Sequence, residues 1–522
     1  MEALSKSGGG SRPGGALVLV GFMGAGKSSG ARKAAAELGC EALDSDRELE
    51  AALGEPIEAF FDREGEAVFR EREQQAILAL LDRPDARVVA LGGGALGSAA
   101  VREALRDHTV VHLDVTVEDA WRRASGKGRP LARDRERFET LHAERAAIYA
   151  ALADAHLPPN GRDVVRRALP ALHALQEARA LPGVERVRMV WAEAASGNYP
   201  VFFGRGLVAS GFAYPAAGRR FVVADEHTAR LRPPGDDTPL TPLQPGEPSK
   251  TLASVETVLD ELASAGAERG DIVLALGGGV VGDLAGFCAA IYQRGMRHVQ
   301  VPTTLVAQVD SAYGGKTGVD IREGKNYAGA YHQPSAVISD PSMLDTLPPE
   351  ELAAGYAEVV KTALIAGGEL WEHVRQGGEG DDATILGCLR TKLAVVAEDE
   401  RDGGRRQVLN LGHTVAHAIE SATAYARYRH GEAVAIGLLA ALRLSGQGAL
   451  RDEVAALLQA HGLPSSFDGA SVDDVVALTE HDKKREGGRV PFVLVQAPGA
   501  VTPGHHVGPD DLRAAVAELR AV

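Results

Sequence analysis

Short apolar runs that end in glycine clusters constrain the fold of this chain more than any other feature. Three strand-like runs, residues 16–20, 87–91 and 271–276, are each followed at once by glycines. A buried strand that leads into glycines is typical of the ligand-binding edge of a parallel α/β sheet. Glycine makes up 61 of the 522 residues, and no collagen-like period accounts for it. The pattern therefore predicts α/β domains whose glycines lie in ligand-binding loops.

The length is enough for roughly three domains, since one domain usually has about 100–200 residues. The sequence Leu181-Pro182-Gly183 breaks a helical pattern that Pro170 already interrupts, which predicts a linker. Beyond residue 341, Ala- and Leu-rich helical segments replace the strand-like runs. We expect a doubly wound parallel α/β domain at 14–175, a linker at 176–185, a second α/β domain at 186–341 and a mostly α-helical domain at 342–522.

The composition disfavours several classes of partner. Acidic residues exceed basic ones by 71 to 56, a net charge of −15, which argues against a general nucleic-acid or anionic-membrane binder. No apolar run approaches the ~18 residues of a membrane span, and residues 1–15 lack the apolar stretch of a signal peptide. Three scattered cysteines fit a reducing compartment. We expect a cytoplasmic protein with small-molecule partners, without nucleic acid or membrane.

The first glycine loop carries a phosphate-binding motif. Gly21–Ser28 fits the pattern G-x-x-x-x-G-K-[ST], follows a strand-like run and opens a helix-like one. Glycines in such a loop let backbone N–H groups surround a phosphate chain, while Lys27 adds a positive charge and Ser28 can bind Mg²⁺. The alternative is a glycine-rich turn before a helix, which the matched context disfavours.

Charged residues downstream could hold a phosphoryl acceptor. Asp44 and Asp46, at i and i+2, can face one side of a strand end, where a solvated turn is the alternative. Arg70 lies on a predicted helix, where a surface position is the alternative. Arg129 ends the stretch 124–129, whose Gly, Lys and Arg residues are typical of a mobile lid.

Together these motifs resemble the shikimate kinase family over about residues 16–175. The matching segments are Gly21–Ser28, Asp44–Asp46, Phe69–Glu73, Gly92–Gly94, Arg129–Leu131 and Arg145–Tyr149. The resemblance implies a P-loop kinase fold that phosphorylates shikimate with ATP and Mg²⁺, with Lys27, Asp46 and Arg129 in catalytic roles. It implies nucleotide binding by Gly24, Gly26, Lys27, Ser28, Ser29 and Arg129, Mg²⁺ binding by Ser28 and Asp44, and shikimate binding by Asp46, Arg70, Gly93, Gly94 and Arg145.

The second half has its own glycine loops and a candidate metal centre. Gly277–Asp283 follows a strand-like run but is by itself a weak dinucleotide signal, because its spacing is not Gly-x-Gly-x-x-Gly. A Glu at 358 and histidines at 413, 417 and 430 in a helical region indicate a divalent metal with an open site. Spacing alone pairs His413 with His417, at i and i+4. The alternative is an uncoordinated histidine pair on a polar helix face.

These residues resemble the 3-dehydroquinate synthase family from about Arg186 to the end of the chain. The matching segments are Gly246–Thr251, Gly277–Asp283, Arg294-Gly295, Pro302–Thr304, Asp310–Thr317, Gly324–Asn326, Ala357–Lys361, Asn410–Glu420, His430–Val434 and Asp482–Lys484. The resemblance implies an NAD-binding α/β domain followed by a mostly α-helical metal-binding domain. It also revises the metal centre, because the implied ligands of Zn²⁺ or Co²⁺ are Glu358, His413 and His430.

The same resemblance implies the remaining roles. Asp310, Lys316, Lys361, Asn410 and His417 would be catalytic. NAD would be bound or bordered by Glu247, Lys250, Gly279, Asp283, Thr303, Thr304, Asp310, Lys316, Lys325 and Thr346. The substrate, a phosphorylated seven-carbon keto acid, would contact Arg294, Lys316, Lys361, Lys392, Arg406 and Asn410.

The leading hypothesis is thus a bifunctional enzyme of aromatic biosynthesis, and the family implies a homodimer through the synthase half. One alternative keeps the second fold but changes the substrate, as in related sugar-phosphate cyclases. Another makes the first domain a docking module that binds ATP without phosphoryl transfer.

Overall fold

A computed structural model describes residues 15–125, 134–159, 163–233, 235–322, 324–479 and 491–521 of the chain. The chain divides into two compact units. Unit 1 comprises the residues up to Trp191 together with Pro200–Tyr214, and unit 2 comprises Ala192–Tyr199 and the residues from Pro215 onward.

Unit 1 is built from strands and helices that alternate along most of its length. Within its described residues the strands are β1 (Leu17–Val20), β2 (Ala42–Asp44), β3 (Val88–Ala90), β4 (Thr109–Leu113), β5 (Ala155–Leu157), β6 (Glu185–Ala192) and β7 (Tyr199–Arg205). The helices are α1 (Lys27–Glu37), α2 (Ser45–Leu53), α3 (Ile57–Glu64), α4 (Glu66–Leu81), α5 (Ala99–Ala104), α6 (Val117–Ala124), α7 (Arg135–Leu152) and α8 (Val164–Arg179).

The strands of unit 1 form a sheet in the order β2-β3-β1-β4-β5-β6-β7. β1 is parallel to both neighbours, with Val18 opposite Val89 on one side and Val110 on the other. These valines are fully buried in the core, as expected for a parallel sheet that is covered on both faces. Because β1, β2 and β3 run parallel, the glycine loop after β1, Asp44 at the end of β2 and the glycines after β3 lie at one edge.

Unit 2 begins with a second α/β arrangement and continues with helices. Within its described residues the strands are β8 (Arg220–Asp225), β9 (Leu240–Leu243), β10 (Ile272–Gly277), β11 (Arg297–Pro302), β12 (Lys316–Ile321), β13 (Gly324–Tyr331), β14 (Ala336–Ser339), β15 (Phe492–Ala497) and β16 (Ala500–His505). The helices are α9 (Leu252–Ser264), α10 (Gly279–Ile291), α11 (Pro349–Ala366), α12 (Gly368–Arg375), α13 (Asp382–Glu398), α14 (His413–Ala422), α15 (His430–Leu444), α16 (Gly448–Ala460), α17 (Val472–Thr479) and α18 (Pro509–Ala517).

Its sheet has the order β14-β11-β10-β8-β9, and the neighbouring strands are parallel. β12 and β13 pair separately as an antiparallel hairpin. In the helical part, α11 and α14 both pack against α15. Gly431, the second residue of α15, lies so close to α11 that an added Cβ would overlap the carbonyl oxygen of Ala354. This contact brings His430 next to the buried face of α11.

The predicted fold class is confirmed: a doubly wound parallel sheet, a second α/β region and a mostly helical region. The antiparallel pair β15–β16 was not predicted within the helical region. The predicted interruption at Pro170 is wrong, because α8 continues through it. Pro170 is exposed, whereas Leu169, Leu172 and Leu175 are buried and hold the helix against the sheet.

The predicted domain boundaries stay predictions. The predicted linker, 176–185, contains the last turn of α8 and the first residue of β6, and unit 1 extends past it to Trp191. No described helix is both long and apolar enough to cross a bilayer.

Replacing Gly431 with alanine should destabilise unit 2 by about 2 kcal/mol or more, because backbone must move to admit the methyl group. Thermal denaturation followed by circular dichroism measures the shift. The matched control is Gly448→Ala, at the start of α16, where an added Cβ meets open space. The control should have a free energy of unfolding within about 1 kcal/mol of that of the parent chain. Equal melting midpoints for the two variants would contradict the close approach of Gly431 to α11.

Candidate active sites

The phosphate-binding motif forms a tight loop between β1 and α1. Gly24 and Gly26 have φ of +86° and +92°, the left-handed region that favours glycine. α1 begins at Lys27 and has no side-chain cap at its start, so its first N–H groups are available to an anion. Lys27 Nζ donates to the carbonyl oxygens of Gly21 (2.9 Å) and Phe22 (3.2 Å). Ser28 and Ser29 lie in the first turn. The loop therefore has the form of a phosphate cradle.

A pocket of about 470 Å³ brings four predicted substrate residues together: Arg70, Gly93, Gly94 and Arg145. The fifth, Asp46, does not line it. Arg145 Nη1 and the Tyr149 hydroxyl both donate to the carbonyl oxygen of Gly93, at 2.9 and 2.6 Å. Burial raises the pKa of Tyr149 to about 12, so the phenol remains a donor at neutral pH. Two guanidinium groups on one pocket suit a carboxylate ligand.

Glu73 also lines this pocket, although sequence reasoning assigned it no role. Its carboxylate lies 2.6 Å from Arg70 Nη1, and its side chain is 8% exposed. The i, i+3 spacing on a helix was a signal that could have found the pair. An added Cβ at Gly94 would overlap the guanidinium of Arg70. Glu73 and Gly94 thus fix where Arg70 lies.

The acidic residues lie at the end of β2. Asp44 caps α2, accepting a hydrogen bond from the backbone N–H of Asp46 (3.1 Å). The Asp46 carboxylate is next to the glycine triplet, since a Cβ at Gly92 would lie 2.7 Å from Asp46 Oδ1. Ser45 Oγ accepts from the Gly92 N–H (2.9 Å) and joins the two loops. Arg129 lies outside the described residues.

A larger cavity, about 1870 Å³, lies in unit 2. Arg294, a predicted substrate contact, does not line this cavity. It is exposed, follows α10 and has a φ of +65°. Asp482–Lys484 lie outside the described residues. The predicted residues that line the cavity are Glu247, Lys250, Gly279, Asp283, Thr303, Thr304, Asp310, Lys316, Lys325, Thr346, Glu358, Lys361, Lys392, Arg406, Asn410, His413, His417 and His430.

One side of the cavity follows the glycines after β10. The Lys250 ammonium pairs with Asp283 at 2.6 Å. Burial opposes the charge of Lys250, but Asp283 and Glu247 outweigh it and raise its pKa. An added Cβ at Gly278 would lie 2.8 Å from Thr304 Cγ2, so backbone and strand ends come close together here. This is the arrangement in which a dinucleotide approaches the backbone at a strand edge.

Three candidate metal ligands converge on the same cavity. Glu358, His413 and His430 each offer a ligand atom within 4.8 Å of the others. Glu358 Oε1 lies 3.5 Å from His413 Nε2 and 3.4 Å from His430 Nε2. One carboxylate and two imidazoles around an accessible cavity fit a Zn²⁺ or Co²⁺ site with an open position. The pair predicted from spacing, His413 with His417, is not part of one candidate set, because His417 groups with Glu420 and His430 instead.

Buried charges connect this triad to the rest of the cavity. Lys361 Nζ pairs with Glu358 and lies 3.5 Å from Asp310 Oδ1, which is 2.8 Å from Lys392 Nζ. Burial favours a protonated Asp310, but the two ammonium groups outweigh it and lower its pKa to about 2. Burial lowers the pKa of Lys392 to about 8, against the pull of Asp310. Asp310 thus balances two buried cations.

The contacts of three further cavity-lining residues were not visible in the sequence. Lys316 Nζ pairs with Asp402 at 2.7 Å, across 86 residues of chain. Arg406 is fully buried and donates to the carbonyl oxygens of Glu400 and Gly314. These bonds hold two cavity-lining cations in place. Asn410 donates to the Gln407 carbonyl oxygen at 3.0 Å.

Comparisons with known proteins identify the family of each half of the chain. The shikimate kinase model matches residues 23–173, and the 3-dehydroquinate synthase N-terminal and C-terminal models match residues 240–354 and 355–485. The 3-dehydroquinate synthase of Halorhodospira halophila is 43% identical over 333 residues, covering 60% of this chain and 94% of that protein. The chain belongs to the 3-dehydroquinate synthase family. With the kinase domain in the same chain, the prediction of a bifunctional fusion is confirmed.

Two solved structures are similar to the second half. A 2-deoxy-scyllo-inosose synthase complexed with carbaglucose-6-phosphate, NAD⁺ and Co²⁺ has a TM-score of 0.55 and 25% identity, over 63% of this chain and 99% of that one. The 2-epi-5-epi-valiolone synthase from Streptomyces hygroscopicus, with NAD⁺ and Zn²⁺ bound, has a TM-score of 0.56 and 27% identity, over 62% and 96%. Both are less similar in sequence than the 3-dehydroquinate synthases.

Gly94→Ala should raise the KM for shikimate about tenfold or more, because the methyl group displaces Arg70 and weakens a charged hydrogen bond to the substrate. The Tm should change little, since the guanidinium can move. The control is Gly97→Ala, where an added Cβ meets open space. Steady-state kinetics with varied shikimate measures the effect, and an unchanged KM would contradict the role of Arg70.

Proposed function

We propose that unit 1 transfers a phosphoryl group from ATP to the 3-hydroxyl of shikimate. We further propose that unit 2 converts 3-deoxy-D-arabino-heptulosonate 7-phosphate to 3-dehydroquinate and phosphate. The observation that carries the proposal is the convergence of two separate charged constellations, each on one cavity. Arg70 and Arg145 line the first cavity, and the triad with its lysines lines the second.

In the kinase site, each residue has a task set by its chemistry. Arg70 and Arg145 hold the carboxylate of shikimate by charge-assisted hydrogen bonds. Asp46 accepts a hydrogen bond from the attacking hydroxyl and takes its proton. Lys27 and the loop N–H groups bind the phosphates, and Ser28 and Asp44 would hold Mg²⁺, which neutralises phosphate charge when bound. Arg129 would cover the nucleotide.

In the synthase site, Glu358, His413 and His430 would hold one Zn²⁺ or Co²⁺, and the glycine edge with Lys250 and Asp283 would hold NAD⁺. When bound, the metal supplies a Lewis acid and NAD⁺ a reversible hydride acceptor. Reversible oxidation of a substrate hydroxyl to a ketone would acidify the neighbouring C–H, so that phosphate could be eliminated from the carbon beyond it. Reduction back to the alcohol, ring opening and an intramolecular aldol closure would then give 3-dehydroquinate. No oxidant is consumed.

The residues of the chain bind and orient this substrate. Lys316, Lys392 and Arg406 hold its phosphate and carboxylate, while Lys361 and Asn410 orient the reacting hydroxyl. His417, which is exposed on the cavity wall, moves a proton during phosphate loss. A homodimer through this half is part of the proposal, and sedimentation velocity measures it.

A sugar-phosphate cyclase is the second candidate for unit 2, because the similar 2-deoxy-scyllo-inosose synthase is complexed with carbaglucose-6-phosphate. The 43% identity to a 3-dehydroquinate synthase and the adjoining kinase domain favour heptulosonate 7-phosphate. A coupled assay with heptulosonate 7-phosphate and with sedoheptulose 7-phosphate as substrates distinguishes the two candidates. Turnover of sedoheptulose 7-phosphate alone would reject our assignment.

Chelation of tightly bound metal, followed by excess Mg²⁺, should abolish synthase turnover and leave the kinase active, because Mg²⁺ does not replace a metal held by imidazoles. Both activities are measured on one purified chain. Readdition of Zn²⁺ or Co²⁺ should restore the synthase. A synthase that survives chelation would contradict the metal assignment.

Lys27→Ala should lower kinase kcat by about 100-fold or more, because a charge on the transferring phosphoryl group loses its partner. Synthase activity on the same preparation is the internal control and should not change. Shikimate-dependent ADP release that survives the substitution would overturn the site, and no release from the parent chain would support a docking role.

A further inference from the structure

We propose that Glu420 is a positioning residue that orients His430 and, through the same oxygen, anchors Lys325. The inference rests on the metal triad of the proposed function. Glu420 Oε1 lies 3.6 Å from His430 Nδ1 and 3.4 Å from Lys325 Nζ. The Glu420 side chain is 2% exposed, so its charge requires nearby cations. The metal, NAD⁺ and substrate contacts proposed above do not involve Glu420.

Each imidazole of the triad has an oxygen atom facing its Nδ1. His413 turns Nε2 toward Glu358, and its Nδ1 lies 3.1 Å from the carbonyl oxygen of Leu411. His430 also turns Nε2 toward Glu358, and its Nδ1 faces Glu420. A metal-binding imidazole usually has its second nitrogen held by a carbonyl or a carboxylate, which sets its tautomer. Glu420 is thus placed to orient His430 as the Leu411 carbonyl orients His413.

Lys325 extends the contact toward the cofactor edge of the cavity. Its ammonium is also 3.5 Å from Glu247 and 4.5 Å from the centre of the Tyr425 ring. Glu247 and Lys325 are among the residues expected to border NAD⁺. One carboxylate oxygen therefore connects a metal ligand to a cofactor-side lysine, and removing it should weaken the binding of both metal and NAD⁺.

A second metal ion is the competing explanation, because His417, Glu420 and His430 also place ligand atoms within 4.8 Å of one another. The ammonium of Lys325, 3.4 Å from Glu420, repels a cation at that position. We therefore expect a single metal equivalent per chain.

The test is a Co²⁺ titration of the chelator-treated, full-length chain against a competing chelator, with the Co²⁺ absorption spectrum recorded. Glu420→Ala should bind Co²⁺ about 10–100-fold more weakly and shift the spectrum. Glu420→Gln should show a smaller loss, because its amide oxygen still accepts from imidazole. NAD⁺ binding, followed by fluorescence, should weaken in both. Near-ultraviolet circular dichroism reports whether each variant is folded, kinase activity shows that unit 1 is intact, and Glu420→Gln carries the test if the alanine variant is not folded.

The matched control is Glu432→Gln, which removes a carboxylate two residues from His430 on the same helix. That carboxylate accepts from the Arg429 N–H at 2.8 Å, so the control should bind Co²⁺ as the parent chain does. Unchanged affinity and spectrum in both Glu420 variants would overturn the proposal, as would two Co²⁺ equivalents that fall to one in Glu420→Ala. Because these readouts need no turnover, a chain whose binding of one Co²⁺ depends on Glu420, but which leaves heptulosonate 7-phosphate unchanged, would reject the proposed function alone.

Discussion

The synthase cavity depends on one buried arrangement of charges, the contact of Lys361 with Glu358 and Asp310. A buried carboxylate or ammonium costs several kcal/mol unless an opposite charge lies beside it. Lys361 is 1% exposed, so α11 can pack only where both carboxylates meet it. Asp310 in turn pairs with Lys392 from α13. These pairs join α11, α13 and the segment that carries Asp310 in one network around the cavity.

Both cavities concentrate cations for anionic ligands, although the chain as a whole is acidic. The net charge is −15, yet Arg70 and Arg145 line one cavity, and several lysines line the other. Carboxylates such as Glu73 and Asp402 hold those cations in position. Glycines complete both sites, because only a residue without a side chain leaves room for the guanidinium at Gly94 or for the helix contact at Gly431.

Much of the fold could be predicted because its signals are local. The apolar runs before glycines became β1, β3 and β10, and the mostly helical region predicted from residue 342 contains α11 to α18. The continuation of α8 through Pro170 could not be predicted, since packing of its buried face outweighs one lost hydrogen bond. Spacing by itself selected His413 with His417, because i, i+4 neighbours are the only pair that a single helix reveals.

The sequence alone determined which chemistry to expect: a phosphate loop, two arginines for a carboxylate, and a Glu/His set for a metal. These signals reside in residue types and short spacings, which turns and helices translate directly into shared faces. Only the tertiary structure decided which distant groups meet. The meeting of Glu358 with His430, the pairing of Lys316 with Asp402 and the position of Glu420 between His430 and Lys325 require helices and hairpins from different parts of the chain to pack together. No local rule specifies that packing, because it follows from burial across the whole unit.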